Sequence, residues 1–509
     1  MQLEKKNKQI KIGMILNYVS MLIEGIVIFL LNPFIIRALG QENYGVYSLI
    51  NSFSGYLSIF DFGLGTTIIR YISSYNAEKK EEEKENFLFF SFIIYFIISI
   101  FIVILAVILY NSIDNIFSSS LNTEQIALAK RLFIIIATSI TLTTLGSIFS
   151  AIISGYEKFI FTRTVILICS IINVIATIIL LATNGTAIEL TYITLIITLI
   201  TFISNIVYVF FKLKVKIKFH KWDTKLFKEV LKFSVLVFLQ TLISQIYWRL
   251  DQTIIGIQII DAAIPLAIYA VAMKINDLVL AFTTVINRYQ LPTITKLSVN
   301  ENSEDILTKY LGNVSKFVSI LYFAVIIGFV FFGKKFIEIY AGEGYELAYY
   351  IVLIVIIASS LNRIHGCGSD VLKAKKKNGM YTLIIFITSV INIALTIILI
   401  PIYGLIGAAI GTAVSVILGN TIAYYWCLQK ETNINIKLLF KYTFKGFIKT
   451  TIVSSLFAGI LNLIFSNNIY LYILKLIMFS IVYGISIYIW VLNENEKSVI
   501  KNKINLKKD

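Results

Sequence analysis

The chain is poor in the residues that carry charge, bend a helix or staple a fold. Of 509 residues only 15% are charged, and Pro, Cys and His number 4, 3 and 2. So few cysteines exclude a disulfide scaffold. Cys169, Cys367 and Cys427 sit in apolar stretches without metal-ligand spacing, which makes them packing residues. His220 and His365 stand alone and read as ordinary structural histidines, so no metal and no cofactor is expected. With 26 Gly and an abundance of apolar residues, collagen-like and disordered classes fall away as well. What fills the sequence is hydrophobic: 58% of residues, against about 45–50% in a soluble domain. Such a chain has lipid for its main solvent, and an ordinary globular enzyme is not expected.

A spanning helix needs roughly 20 largely apolar residues at 1.5 Å rise each. About fourteen runs qualify, near 13–36, 44–74, 87–110, 130–154, 163–183, 187–211, 229–250, 262–287, 313–332, 346–366, 380–401, 403–427, 443–466 and 469–492. The second run carries Asp61, Gly63, Gly65 and Arg70 and is expected to bend at its glycines. The first follows Lys5, Lys6, Lys8 and Lys11; its about 24 residues without a small-residue cleavage site fit an uncleaved anchor better than a signal peptide. Lys and Arg concentrate in the even-numbered connections and at both termini, about seven to one over the odd-numbered connections, which places both termini in the cytoplasm. The net charge of +16 is thereby a matter of topology, and nucleic acid is not needed as a partner. The mixed run from Glu78 to Lys84 reads as a solvated turn. No connection exceeds about 30 residues and no GxxxxGKS/T loop occurs, so neither a soluble catalytic domain nor an ATP-driven motor is expected.

The two halves resemble each other at a shift of about 219 to 225 residues. Ile171–Leu181 lies against Val390–Ile400, with Asn173 and Thr177 in register with Asn392 and Thr396. Tyr44-Gly45-Val46 likewise lies against Tyr269-Ala270-Val271. The offset spans six helices, so the halves share orientation, as in transporters built from parallel repeats. The expected fold is an all-α polytopic membrane protein: two parallel six-helix lobes around a central cavity, plus two C-terminal helices. Its expected parts are an N-terminal lobe at 1–211, a basic cytoplasmic linker at 212–228, a C-terminal lobe at 229–427, and two helices with a basic tail at 428–509.

Ionisable side chains at membrane depth are costly and need a partner or water. Those in the runs are Glu24, Asp61, Arg70, Arg249, Asp251, Lys274, Asp277, Arg288, Arg363, His365 and Lys475. Lys274, Asp277, Ala281 and Arg288 recur at helical spacing, which aligns two cations and one carboxylate on a single face. Gln240, Ser244, Tyr247 and Asp251 form a second polar stripe, and Asn17 with Glu24 a third. Arg and Lys lining a cavity would bind an anionic group such as diphosphate. The competing structural account has Lys274 neutralised by Asp277, and has Arg249 and Asp251 snorkelling to the outer interface. The many Tyr and Phe read as interfacial belts and lipid-facing packing. No Ser/His/Asp set and no paired-carboxylate site stands out.

Arg37-Ala38-Leu39-Gly40-Gln41-Glu42-Asn43-Tyr44-Gly45-Val46-Tyr47, then Asp61-Phe62-Gly63-Leu64-Gly65 followed by Arg70, resemble the N-terminal pattern of Wzx-type polysaccharide flippases. Leu399-Ile400-Pro401-Ile402-Tyr403-Gly404-Leu405-Ile406-Gly407-Ala408-Ala409 looks like the same family's junction of the eleventh and twelfth helices. The resemblance covers essentially the whole chain and falls within the multidrug/oligosaccharidyl-lipid/polysaccharide exporter superfamily. It implies movement of an undecaprenyl-diphosphate-linked oligosaccharide from the cytoplasmic to the outer leaflet of a bacterial cytoplasmic membrane. Alternating access would perform this step, feeding O-antigen, capsule or another surface polysaccharide. The implied partners are the lipid-linked oligosaccharide and membrane lipids, with a polysaccharide polymerase and glycosyltransferases alongside. The candidate substrate site comprises Glu24, Asp61, Arg70, Arg249, Asp251, Lys274, Asp277, Arg288 and Arg363, with Asp61, Asp251 or Asp277 as candidates for a coupling cation. Within the superfamily a cation-coupled multidrug exporter is disfavoured by the Lys and Arg in the helices, whereas a peptidoglycan-precursor flippase would share them. A non-transporting scaffold for glycan enzymes would have no reason to bear intramembrane charge.

Overall fold

The computed structural model describes residues 29–55, 64–221, 249–287, 290–298, 303–464 and 468–498. Among these residues every regular element is a helix. The helices of the first half are α1 at 29–55, α2 Leu64–Glu78, α3 Glu81–Phe117, α4 Thr123–Gly155, α5 Phe159–Ala182, α6 Ala187–Val207, α7 at 249–258 and α8 Ala263–Asn287. Those of the second are α9 Leu291–Leu297, α10 Ser303–Ala341, α11 Glu346–Ile364, α12 Gly368–Ala374, α13 Gly379–Tyr403, α14 Leu405–Ser415, α15 Tyr424–Thr432, α16 Ile436–Phe444, α17 Phe447–Ile464 and α18 Ile469–Trp490. Single π-helical segments, Tyr208–Lys212 and Val416–Ala423, continue α6 and join α14 to α15.

Among the described residues, 11 helical stretches are long and apolar enough to cross a membrane. They coincide with the third to sixth and the eighth to fourteenth apolar runs, while the first, second and seventh runs include residues outside the described set. The chain is a multi-pass membrane protein.

The helices overshoot the runs that announced them. α3 has 37 residues and α10 has 39, nearly twice what a span needs, because backbone hydrogen bonding continues after the side chains turn polar. Both begin on acidic residues, Glu81 to Glu83 and Glu304 with Asp305, whose charge suits a helix N-terminus. Lys130 and Arg131 fall inside α4, and Lys130 pairs with Asp114 of α3. The expected first loop is also helical on both sides: Gly40 takes a φ of 72°, which interrupts right-handed helix geometry, and the Asn43 side chain donates to the Leu39 carbonyl at 3.2 Å.

The mixed charge run is only partly the solvated turn expected. Lys84 is buried, 2.6 Å from Glu81 and 2.9 Å from the Asn76 side-chain oxygen, with its ammonium over the Tyr156 ring. Glu78 and Lys80 do stay in solvent, where the hydrogen bond from Lys80 holds the Glu78 carboxyl below its ordinary pKa.

The chain divides into two compact units, Met1–Ala270 and Val271–Asp509. In the first, α4 packs on α2, α3 and α6, and α5 packs on α6. Side-chain capping sets the starts of α4 and α6: Asn122 with Gln125, and Thr186 with Glu189, each satisfy the other's backbone N–H. α5 and α6 leave rows such as Ile171, Ile175 and Ile178, and Ile196 and Ile203, exposed, as lipid-facing surfaces require. In the second unit α13 lies against α14, α11 against α14, α10 against α16 and α17, and α17 against α18.

Candidate functional site

In the first unit the ionisable residues gather where α7 meets α1 and α8. Asp251 is 5% exposed and accepts a hydrogen bond of 2.6 Å from the Tyr269 hydroxyl of α8. Arg249, two residues earlier and half-buried, lies across Gly55 of α1; a Cβ there would overlap its Cδ and Nε, so the small residue creates the space the guanidinium occupies. Helix α7 runs on to residue 258, past the point where the apolar run ends. Asp251 is therefore held inside the helix packing and does not snorkel. Ser120 donates to the Gly256 carbonyl, and the Ala262 N–H donates to Ser120 at 2.8 Å, pinning the α7–α8 turn to the end of α3. Arg70 stands exposed on α2.

In the second unit α8 shows two unlike sides. Lys274, Asp277 and Ala281 are exposed, whereas Ile275, Asn276 and Val279 are buried. Lys274, Asp277 and Ala281, the described part of the stripe read from spacing, thus share one exposed side of the helix. Among the described residues no ion pair joins Lys274 to Asp277. Exposed charges on an otherwise apolar helix need a partner or water beside them.

Arg363 lies on the buried side. It is 6% exposed; its Nη2 donates to Asn276 Oδ1 at 3.1 Å and its Nε to Ser359 Oγ at 3.1 Å. Ser359 in turn contacts the Tyr322 hydroxyl at 3.2 Å. A guanidinium cannot shed its charge, so neutral oxygens of this kind are what make its burial tolerable. Glu24, Asp61 and Arg288, and the Asn17, Gln240, Ser244 and Tyr247 stripe positions, lie outside the described residues.

Three partners were not singled out for these roles in the sequence: Asn276, Ser359 and Tyr322. Their signal is weak because Asn and Ser inside an apolar helix pass for ordinary polar relief. Asn276 does fall between Lys274 and Asp277 on the opposite side of the helix, which sets it apart from the charged stripe.

The histidines behave as structural residues. His365 sits between the Tyr425 hydroxyl at 2.6 Å and Thr443 Oγ1 at 3.0 Å, stacked on Phe440, and His220 is 2.9 Å from Glu85. Lys475 is 1% exposed and donates to Asn462 Oδ1 at 3.3 Å. All three cysteines are free and buried, and burial pushes the Cys367 thiol up to about 12.

Comparison with known proteins adds three findings. The family model described as polysaccharide biosynthesis protein matches residues 10–298. A probable low-salt glycan biosynthesis flippase, Agl15 of Haloferax volcanii, is 24% identical over 215 residues, 42% of this chain and 43% of that protein, so the match spans less than half of the relative. Among solved structures, the lipid II flippase MurJ in an inward closed conformation aligns with a TM-score of 0.70 at 20% identity, covering 94% of this chain and 98% of that one. An inward-facing multidrug resistance transporter of the MATE family and MOP superfamily aligns at 0.59 with 15% identity, covering 80% and 98%. At these identities the two structures share a fold with this chain.

Proposed function

The chain belongs to the polysaccharide biosynthesis protein family, in keeping with its N-terminal motifs, and from that premise we propose that it is a flippase for a lipid-linked oligosaccharide. It moves an undecaprenyl-diphosphate-linked repeat unit from the cytoplasmic to the outer leaflet by alternating access, in a bacterial cytoplasmic membrane with both termini cytoplasmic. The product feeds O-antigen, capsule or another surface polysaccharide.

The observation that carries this reading is the uncovered Lys274–Asp277–Ala281 face of α8. An ammonium beside water at membrane depth is a site for an anionic substrate group, and diphosphate oxygens suit it. In this reading Lys274 and Arg288 meet the diphosphate, and Arg70 and Arg249 are further candidates for binding the substrate. Asp277 keeps the site from holding the anion too tightly. Asp251 and Arg363, both buried and hydrogen-bonded within their own units, position the helices that carry the site. Glu24 and Asp61 remain candidates for the same role from the sequence. The step is transport, with no covalent bond made or broken, while the lipid tail stays in the bilayer.

The test uses a strain lacking the chromosomal copy. Lys274→Ala and Arg288→Ala are each expected to lower surface polymer at least about tenfold, the equivalent of about 1.4 kcal/mol, at unchanged protein abundance. Lipid-linked repeat units should accumulate. Normal polymer in both variants would overturn the cationic site; normal polymer in the deletion strain with new drug sensitivity would make the protein an exporter of small molecules.

A further inference from the structure

The first unit holds a second polar feature that the flippase reading does not use. A pocket of about 280 Å³ lies among α4, α5 and α6, and the described residues of its lining include no Asp, Glu, Lys or Arg. The hydroxyls of Thr143, Ser147, Thr198 and Thr201 border it, and each donates to the carbonyl four residues back, at 2.8, 3.1, 2.9 and 2.9 Å. A hydroxyl whose proton is committed in this way offers a neighbour only lone pairs. Asn205, also in the lining, is 5% exposed, and its Oδ1 is buried without a hydrogen-bond partner among the described residues; so is Thr162 Oγ1. Phe202 supplies one wall, its ring edge-on to Phe149.

This is a neutral, acceptor-rich cavity with an aromatic wall, built at a depth where an idle carbonyl oxygen is costly. An ion is a poor occupant, since no countercharge lines the pocket. A group with several O–H donors and an apolar carbon face satisfies both the oxygens and Phe202. The helix ends nearby are basic: Lys158 precedes α5, Arg163 follows Thr162, and Lys212 closes the π-helical segment after α6. We propose that this pocket binds the hydroxylated head group of a membrane lipid, glycerol or hexose, with any phosphate of that lipid at the basic end.

The full-length protein in detergent is offered equal amounts of phosphatidylglycerol, glucosyl diacylglycerol and phosphatidic acid, and retained lipid is counted by native mass spectrometry. Phosphatidic acid carries the phosphate without the polyol. Retention of either hydroxylated lipid about fivefold above phosphatidic acid, the worth of one good hydrogen bond, is the expected result. Preference for phosphatidylglycerol alone assigns the glycerol head, and preference for the glucolipid alone assigns the hexose. Asn205→Leu with Thr198→Val should bring the preference within about twofold; if that double variant does not fold, the near-isosteric Thr198→Val alone should at least halve it. Equal retention of the three lipids, or a preference that both variants leave unchanged, overturns the proposal. The assay involves no transport, so its outcome is independent of the flippase reading.

Discussion

The first unit buries a carboxylate and the second buries a guanidinium, and the two are accommodated by different chemistry. Asp251 accepts from a tyrosine hydroxyl, a donor that serves the carboxyl whether it is ionised or protonated. Arg363 has no neutral form to retreat to, and neutral side-chain oxygens meet its Nε and Nη2, from Ser359 on its own helix and from Asn276, 87 positions away in sequence. The acid is therefore a group with two available states and the base a group with one.

The sharpest way to break that contrast is to remove each charge. Arg363→Ala leaves Asn276 and Ser359 without their partner around a new cavity and is expected to cost about 3 kcal/mol. Asp251→Asn keeps an acceptor for Tyr269 and should cost about 1 kcal/mol or less. Thermal unfolding followed by intrinsic fluorescence reads both; equal losses would show that the two burials are alike after all.

A second pair sharpens the comparison at positions where the two halves of the sequence align. Asn392 is fully buried and donates to Thr412 and Ser415 at 3.2 and 3.3 Å, so Asn392→Leu should cost about 2 kcal/mol. Asn173 is only half-buried and meets Thr177 of its own helix at 3.3 Å, so Asn173→Leu should cost less than about 0.5 kcal/mol. A reversed order in the same unfolding assay would remove the distinction between the units.

The remaining effects are small by design of their surroundings. With its pKa raised to about 12 by burial, the Cys367 thiol is ionised in roughly one molecule in ten thousand at pH 8, and alkylating reagent should leave it unmodified until the protein unfolds. Peptide mapping after labelling checks this, and rapid modification in the folded protein would count against the packing around α12. Smallest of all is Glu78. A carboxyl held below its ordinary pKa adds stability above that value and loses it as pH falls, but both partners lie in solvent. Lys80→Ala should leave the unfolding temperature unchanged at pH 7 and at pH 4.

How much of this was readable beforehand depends on the range of the interaction. Lys274, Asp277 and Ala281 were legible as one face because helical periodicity is a local property, and that face is indeed uncovered. Whether Lys274 would close on Asp277 was not legible, since spacing permits the pair without requiring it. The mixed run at Glu78 to Lys84 misled in part: composition described Glu78 and Lys80 well, but Lys84 is buried because Tyr156, far along the chain, supplies the surface over it. The competing account that sends Asp251 to an interface rests on hydropathy, which falls there, while the helix itself continues to residue 258.

By itself, then, the sequence determined that this chain is helical, that it crosses a membrane many times and that its charges stand at particular depths, because hydropathy, periodicity and loop charge are properties of short segments. Only the tertiary structure decided which of those charges are engaged and which stay open. Arg363 meets Asn276, Asp251 meets Tyr269 and, among the described residues, no ion pair joins Lys274 to Asp277, since each outcome depends on how helices from distant parts of the chain are brought together and on the cost of leaving a polar atom buried without a partner.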